Sequence, residues 1–186
     1  MPDFAKRSYE KELLDKDDIP FDDIRLNMKE LNTINTLLGG HDISIQGLKK
    51  IIGSNHKQKQ LHICEIGCGG GDNLKAIADW CKKNNINCRF TGIDIKDTCT
   101  AFADQQYPGL AKWMTADYSD VSFTEGKPDI IFSSLFCHHF TEMELTDMLG
   151  WMRKNSTLGF FINDLQRNPL AWFLIKWLTR FFSKSY

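Results

Sequence analysis

The densest chemistry in the chain is the run Glu65-Ile66-Gly67-Cys68-Gly69-Gly70-Gly71-Asp72-Asn73, which follows an apolar stretch and opens an amphipathic one. Glycines at this place allow a sharp turn and let a ligand approach bare backbone, and the amides that start the next helix can donate to a polar or anionic group. The acid two positions before the first glycine decides between ligands. A Glu65 carboxylate would oppose a pyrophosphate, which dinucleotide folds hold at such a turn, and would attract a cation. The alternative for Glu65 is a strand-end residue that caps the turn.

Three further places carry groups of the right kind. Asp94, in Thr91-Gly92-Ile93-Asp94-Ile95, stands a little over 20 residues beyond the glycines, where an acid can accept hydrogen bonds from ribose hydroxyls. A surface helix cap is the other reading of that aspartate. Asp117, in Thr115-Ala116-Asp117-Tyr118, can take a proton from an adenine amino group while Tyr118 or Ile95 packs on the ring, or it can simply cap the next turn. The segment Ser133-Ser134-Leu135-Phe136-Cys137-His138-His139-Phe140 brings two imidazoles together. His138 and His139 are acid–base candidates for a phenol or an enolisable carbon; alternatively one packs under a helix and the other caps it. S-adenosylmethionine has no phosphate and carries an ammonium and a sulfonium, so it suits the Glu65 turn. A nicotinamide cofactor would share the glycines and Asp94 but not the acid.

These residues need a scaffold that brings them to one edge. From Leu61 onward, short apolar runs alternate with amphipathic segments: strands at 61–66, 88–95, 111–116, 128–135 and 158–163, with helices near 73–83, 98–106, 142–153 and 169–182. That alternation predicts an α/β fold, a parallel sheet with helices on both faces. Upstream, residues 1–57 read as a charged helical lead-in. There Ile24, Met28, Leu31, Ile34, Leu37 and Leu38 recur on one helical face, Gly39-Gly40 stops the helix, and a shorter helix covers 43–52. The domain division expected is a lead-in or lid at 1–57 and a ligand-binding domain at 58–186.

The acids and the glycine turn lie at successive carboxyl ends of strands, and together they resemble the class I S-adenosylmethionine-dependent methyltransferases over about residues 61–165. The lead-in segments Glu12-Leu13-Leu14-Asp15 and Ile34-Asn35-Thr36-Leu37-Leu38-Gly39-Gly40, with the stretch Ile162 to Ala171, are similar to a subgroup near the ubiquinone/menaquinone-pathway enzymes that acts on phenolic or polyketide products. The resemblance implies a Rossmann-like sheet of order 3-2-1-4-5 with the lead-in folded over the donor. It also implies methyl transfer from S-adenosylmethionine to an oxygen or carbon of a small acceptor, leaving S-adenosylhomocysteine. Donor contacts would come from Glu65, Gly67, Cys68, Gly69, Asn73, Asp94, Ile95, Asp117 and Tyr118, with Ser133, Ser134 and Leu135 beneath the methionine part. The family's usual C-terminal hairpin, strands six and seven, has no counterpart before Tyr186, so a donor-binding chain without turnover is a second reading. No Asn-Pro-Pro-Tyr box follows the fourth strand, which argues against methylation of adenine or glutamine nitrogen.

Composition narrows the classes further. A net charge of -1 is not that of a protein with a broad basic face for nucleic acid. The cysteines at 64, 68, 81, 88, 99 and 137 form no CxxC pair and fit no zinc spacing, which points to free thiols, no metal and a cytoplasmic setting. Neither a secretory leader nor a membrane-crossing run is expected. The aromatic segment from Trp172 to Phe182, interrupted by Lys176 and Arg180, is read as a substrate roof, a homodimer face or a peripheral membrane contact.

Overall fold

The computed structural model describes residues 21–53 and 60–164, apart from the side chains at 21, 22, 27 and 31. Five strands, β1 (Leu61–Ile66), β2 (Cys88–Asp94), β3 (Lys112–Thr115), β4 (Ile130–Ser134) and β5 (Gly159–Asn163), form one parallel sheet in the order β3-β2-β1-β4-β5. The helices are α1 (Phe21–Leu38), α2 (Gly40–Ile52), α3 (Asp72–Lys83), α4 (Asp97–Gln106) and α5 (Glu142–Asn155). The parallel sheet is what the strand-helix alternation implied, and its order is the Rossmann-like one that the family resemblance implied. Each strand lies within one or two residues of its expected span at each end.

The central strand explains why the sheet is covered on both sides. Every residue of β1 is buried, and alternate side chains serve opposite layers. Leu61 and Ile63 join Leu48 and Ile52 of α2, Leu74 and Ile77 of α3, and Ile130 and Phe132 of β4. Cys64 and Ile66 point the other way, into a layer with Ile93, Ile131 and the α5 residues Met148 and Met152. The N-terminal pair of helices is thus part of the fold: α2 packs on β5 and α3, and α1 lies on α4 through Ile24, Met28, Cys99 and Phe102.

The lead-in differs from its expected form in two ways. One left-handed residue, Gly39 at φ 76°, separates α1 from α2, and helix resumes at Gly40 rather than at 43. Leu37 and Leu38 do not continue the apolar face, being 59% and 43% exposed. α1 has 18 residues against 10 in α4, about 27 Å against 15 Å, so its C-terminal end overshoots the helix it packs on. The expected helix over 169–182 and lead-in residues 1–20 lie outside the described residues.

Candidate functional site

The carboxyl ends of the strands open into a cleft of about 420 Å³. Its floor is the turn between β1 and α3, where Gly67, Gly69 and Gly71 all have positive φ (67°, 49° and 77°). Close approach matters as much as conformation here. A Cβ on Gly67 would lie 2.4 Å from the Phe136 ring, and one on Gly71 would lie 2.5 Å from Trp113.

Glu65, the penultimate residue of β1, lies beneath this floor and is fully buried. Asn73 Nδ2 donates to its Oε1 at 3.3 Å, whereas Oε2 has no partner. Burial, then the nearby Asp72 and Asp94 charges, push its pKa well above the usual carboxylate range, against the weaker pull of Asn73. A buried carboxyl with one oxygen unmet is a costly group, and a cationic donor entering the cleft would relieve it. Asp72 itself pairs with His41 of α2 at 2.9 Å, which ties the second helix to the glycine turn.

Asp94 closes β2 beside the same turn. Its Oδ2 accepts the Gly69 N–H at 2.8 Å and its Oδ1 accepts the Lys96 N–H at 3.0 Å. Burial raises its pKa; the two amides and the Lys96 charge oppose that rise. Each oxygen keeps a second lone pair, enough for a diol. Next to it Ile95 is 66% exposed on the cleft wall, an apolar surface open to a flat ring. Asp117 does cap the 3-10 turn at Tyr118–Asp120: its Oδ1 accepts both the N–H and the hydroxyl of Ser119. Capping and ligand binding are compatible, because only one of its oxygens is so used.

The far wall is the segment after β4. Leu135 has φ 52°, a left-handed conformation unusual for leucine, held by its N–H donating to Asn163 O at 2.8 Å. The bend lays Phe136 over Gly67 and starts a 3-10 turn at Cys137–His139. The two imidazoles stand 4.3 Å apart between centroids, and His138 Nδ1 lies 3.0 Å from Asp164 Oδ1. Phe136 meets Phe140 edge-on at 4.8 Å, and Phe140 meets Tyr118 at 6.2 Å.

Of the residues singled out from sequence, Glu65, Gly67, Cys68, Gly69, Asn73, Asp94, Ile95, Asp117, Tyr118, Ser134, Leu135, His138 and His139 line this one cleft. Ser133 does not; it is wholly buried under the turn, its hydroxyl 3.7 Å from Cys137 Sγ. Sequence reasoning did not assign to the site Met28 and Asn35 of α1, nor Lys96, Cys99, Phe136 and Phe140, which also line it. Met28 was read only as part of an apolar helical face and Asn35 only within the segment 34–40. The phenylalanines flank the histidines and were legible as aromatic neighbours. All six cysteines are free thiols, and among the described residues no cluster of three or more His, Cys, Asp or Glu could hold a metal ion.

Comparisons with known proteins bear on this geometry. No curated protein matches the sequence. Among solved structures, the plantazolicin methyltransferase BpumL in complex with S-adenosylhomocysteine superposes with TM-score 0.57 at 18% identity, over 78% of this chain and 59% of that one. DesVI of Streptomyces venezuelae gives TM-score 0.56 at 13% identity, over 80% of this chain and 58% of its own. The magnesium protoporphyrin IX methyltransferase of Synechocystis PCC 6803 with bound S-adenosylhomocysteine gives 0.55 at 18%, over 77% and 64%. At such identities the likeness is one of fold, and the chain spans less than two thirds of each of these proteins. The sequence profile of the family described as "Methyltransferase domain" matches residues 63–155, from the middle of β1 to the end of α5. With half of its residues inside that match, the chain belongs to the methyltransferase domain family.

Proposed function

We propose that this chain binds S-adenosylmethionine in the cleft and transfers its methyl group to an oxygen or carbon of a small acceptor. The observation that carries the reading is Glu65, buried under the glycine turn with Oε2 unmet, in a cleft that also presents Asp94, Ile95 and Asp117. Glu65 would take the donor's ammonium and Asp94 its ribose hydroxyls. Ile95 and Tyr118 would flank adenine, with the second oxygen of Asp117 receiving the ring's amino group. Gly67, Cys68 and Gly69 would offer backbone along the methionine part, with Asn73, Ser134 and Leu135 around it. When bound, the donor supplies a methyl carbon activated by a positively charged sulfur. The chain's own part is position and exclusion of water: Phe136 covers the glycine turn, Phe140 packs between Phe136 and Tyr118, and the histidines face the same space.

The acceptor class rests on that wall. Rings from Tyr118, Phe136 and Phe140 with two imidazoles suit a flat, phenolic, quinol-like or polyketide-type molecule that has a proton to lose. The named relatives act on dissimilar compounds, a porphyrin and plantazolicin, so they support a small-molecule acceptor without specifying it. Among the described residues no helix is long and apolar enough to cross a membrane.

Calorimetric titration with S-adenosylhomocysteine, with NADH in parallel, tests the reading. Saturable binding of the first and none of the second is expected. Glu65→Ala and Asp94→Ala should each weaken it by about 1.5–3 kcal/mol, the usual worth of a hydrogen bond to a charged group. Wild-type affinity in both folded variants, or binding of NADH alone, would remove the donor assignment.

A further inference from the structure

We infer that Asp164 is a positioning residue that makes His138, and not His139, the group that takes a proton from the acceptor. The inference rests on the methyl-transfer reading and assigns a task within it that neither histidine's sequence position decides.

The geometry begins with the sheet. β4 and β5 are parallel neighbours with Ser134 opposite Asn163, so the turn after β4 and the residue after β5 leave the sheet side by side. That end is braced. Asn163 accepts the Leu135 N–H through its carbonyl, and its Nδ2 donates to Ser134 Oγ, Ser44 Oγ and Gly40 O at 3.0–3.1 Å. Asp164 follows directly, and its Oδ1 meets His138 Nδ1 at 3.0 Å with both side chains mostly shielded, 19% and 28% exposed. An ionised carboxylate can only accept, so Nδ1 carries the proton and Nε2 carries the lone pair.

Two imidazoles 4.3 Å apart cannot comfortably both be charged. The Asp164 carboxylate favours His138, because a positive charge there lies against it at 3.0 Å. His139 contacts Phe136 at 6.0 Å and acts on Asp94, at the donor side of the cleft. Among the described residues the other ionisable groups lining the cleft are Glu65, Cys68, Asp72, Asp94, Lys96, Cys99, Asp117 and Tyr118. In the transfer, an acceptor hydroxyl gives its proton to His138 Nε2 while its oxygen bonds to the methyl carbon. The carbon–sulfur bond breaks with its electron pair going to sulfur, which becomes a neutral thioether. The proton leaves His138 for solvent afterwards, and charge and atoms balance. An acceptor that must lose such a proton is a hydroxyl on an aromatic or enolic carbon.

Nitrogen NMR of the imidazoles tests the assignment without any acceptor, with His138→Gln identifying the His138 signals among the five histidines. In the wild type, His138 should show the Nδ1–H neutral form. In Asp164→Ala it should change to the Nε2–H form that predominates in unconstrained histidine. In the isosteric Asp164→Asn, the Nδ1–H share should fall part way. All three proteins should bind S-adenosylhomocysteine alike, which separates this inference from the donor assignment. If the wild type does not bind it, the methyl-transfer reading fails. If all bind and His138 is Nε2–H in the wild type, or keeps its Nδ1–H form in Asp164→Ala, the role given to Asp164 is overturned.

Discussion

Glu65 holds an unfavourable arrangement that the proposed donor would relieve. Its carboxyl is fully buried, the charges acting on it are those of the acids Asp72 and Asp94, and its carboxyl's single hydrogen bond comes from a neutral amide. In the empty cleft the protonated form is therefore favoured far above the ordinary carboxylate range. An ammonium brought to Oε2 reverses the balance, because it stabilises the ionised form and not the neutral one. Binding must then expel a proton wherever the empty site holds one. Calorimetry of S-adenosylhomocysteine binding in buffers of differing ionisation enthalpy should report net proton release, and affinity should rise with pH, over the range in which unliganded Glu65 is protonated. In Glu65→Gln the release should largely vanish. A release of the same size in that variant would mean that another group does the titrating, and the ammonium would have to be placed elsewhere.

At the scale of elements, the contact between α2 and β5 is what joins the N-terminal helices to the carboxyl edge of the sheet. α2 brings His41 to Asp72 and supplies Gly40 and Ser44 to Asn163, so its seating bears on both walls of the cleft. Gly47 sets how closely it sits: a Cβ there would lie 2.6 Å from the ring of Phe161, which is itself stacked on Phe132 at 5.1 Å. Alanine is ordinarily the better helix residue by roughly 1 kcal/mol, and Gly150 in α5, with nothing within 4 Å, should show that gain. Gly47→Ala should reverse the sign and lose about 1–3 kcal/mol through overpacking, as read by denaturant unfolding. Equal gains in both variants would mean that α2 is free to lift from β5. That difference between two helical glycines marks the limit of what could be read in the sequence. The glycine turn, Asp94 and the strand spans were legible because each is a local pattern, a motif beside a run of β-branched and apolar residues. The pairs His41–Asp72 and His138–Asp164 were not, because their members stand 31 and 26 residues apart and meet only through the packing of α2 on α3 and the pairing of β4 with β5. Likewise, nothing in the spacing of Trp113 announced that its ring would cover both Gly71 and Gly92.

For the molecule as a whole, two buried groups three residues apart on β1 tilt stability in opposite directions with pH. His62 lies on the inside of the sheet with Nε2 2.8 Å from Thr91 Oγ1, and burial, reinforced by Arg89, lowers its pKa from 6.5 to about 4. The unfolded chain binds this proton more readily, so His62's contribution is complete above 6.5 and is lost as pH falls toward 4. Glu65 has the reverse sign: its folded pKa lies above the ordinary 4.5, so its contribution is complete below that value and is lost as pH rises through the folded pKa. Asp94, also raised by burial, acts in the same sense as Glu65. Above pH 6.5 His62 is neutral in both states and no longer contributes a slope. As pH rises from the ordinary carboxylate range through the folded pKa of Glu65, the stability of the unliganded chain should decline, by at most about 1.4 kcal/mol per unit for each proton involved. Glu65→Gln should remove most of that decline, and His62→Gln should flatten the acid side between 6.5 and 4 while leaving the alkaline side unchanged. Saturating S-adenosylhomocysteine should act on the wild type as the glutamine does, because a carboxylate paired with an ammonium no longer resists ionisation. The ligand's stabilising effect on unfolding should therefore grow with pH in the wild type and stay constant in Glu65→Gln. A pH-independent effect in both proteins would show that the ligand does not act through the acid on β1, and would move its ammonium away from the glycine turn.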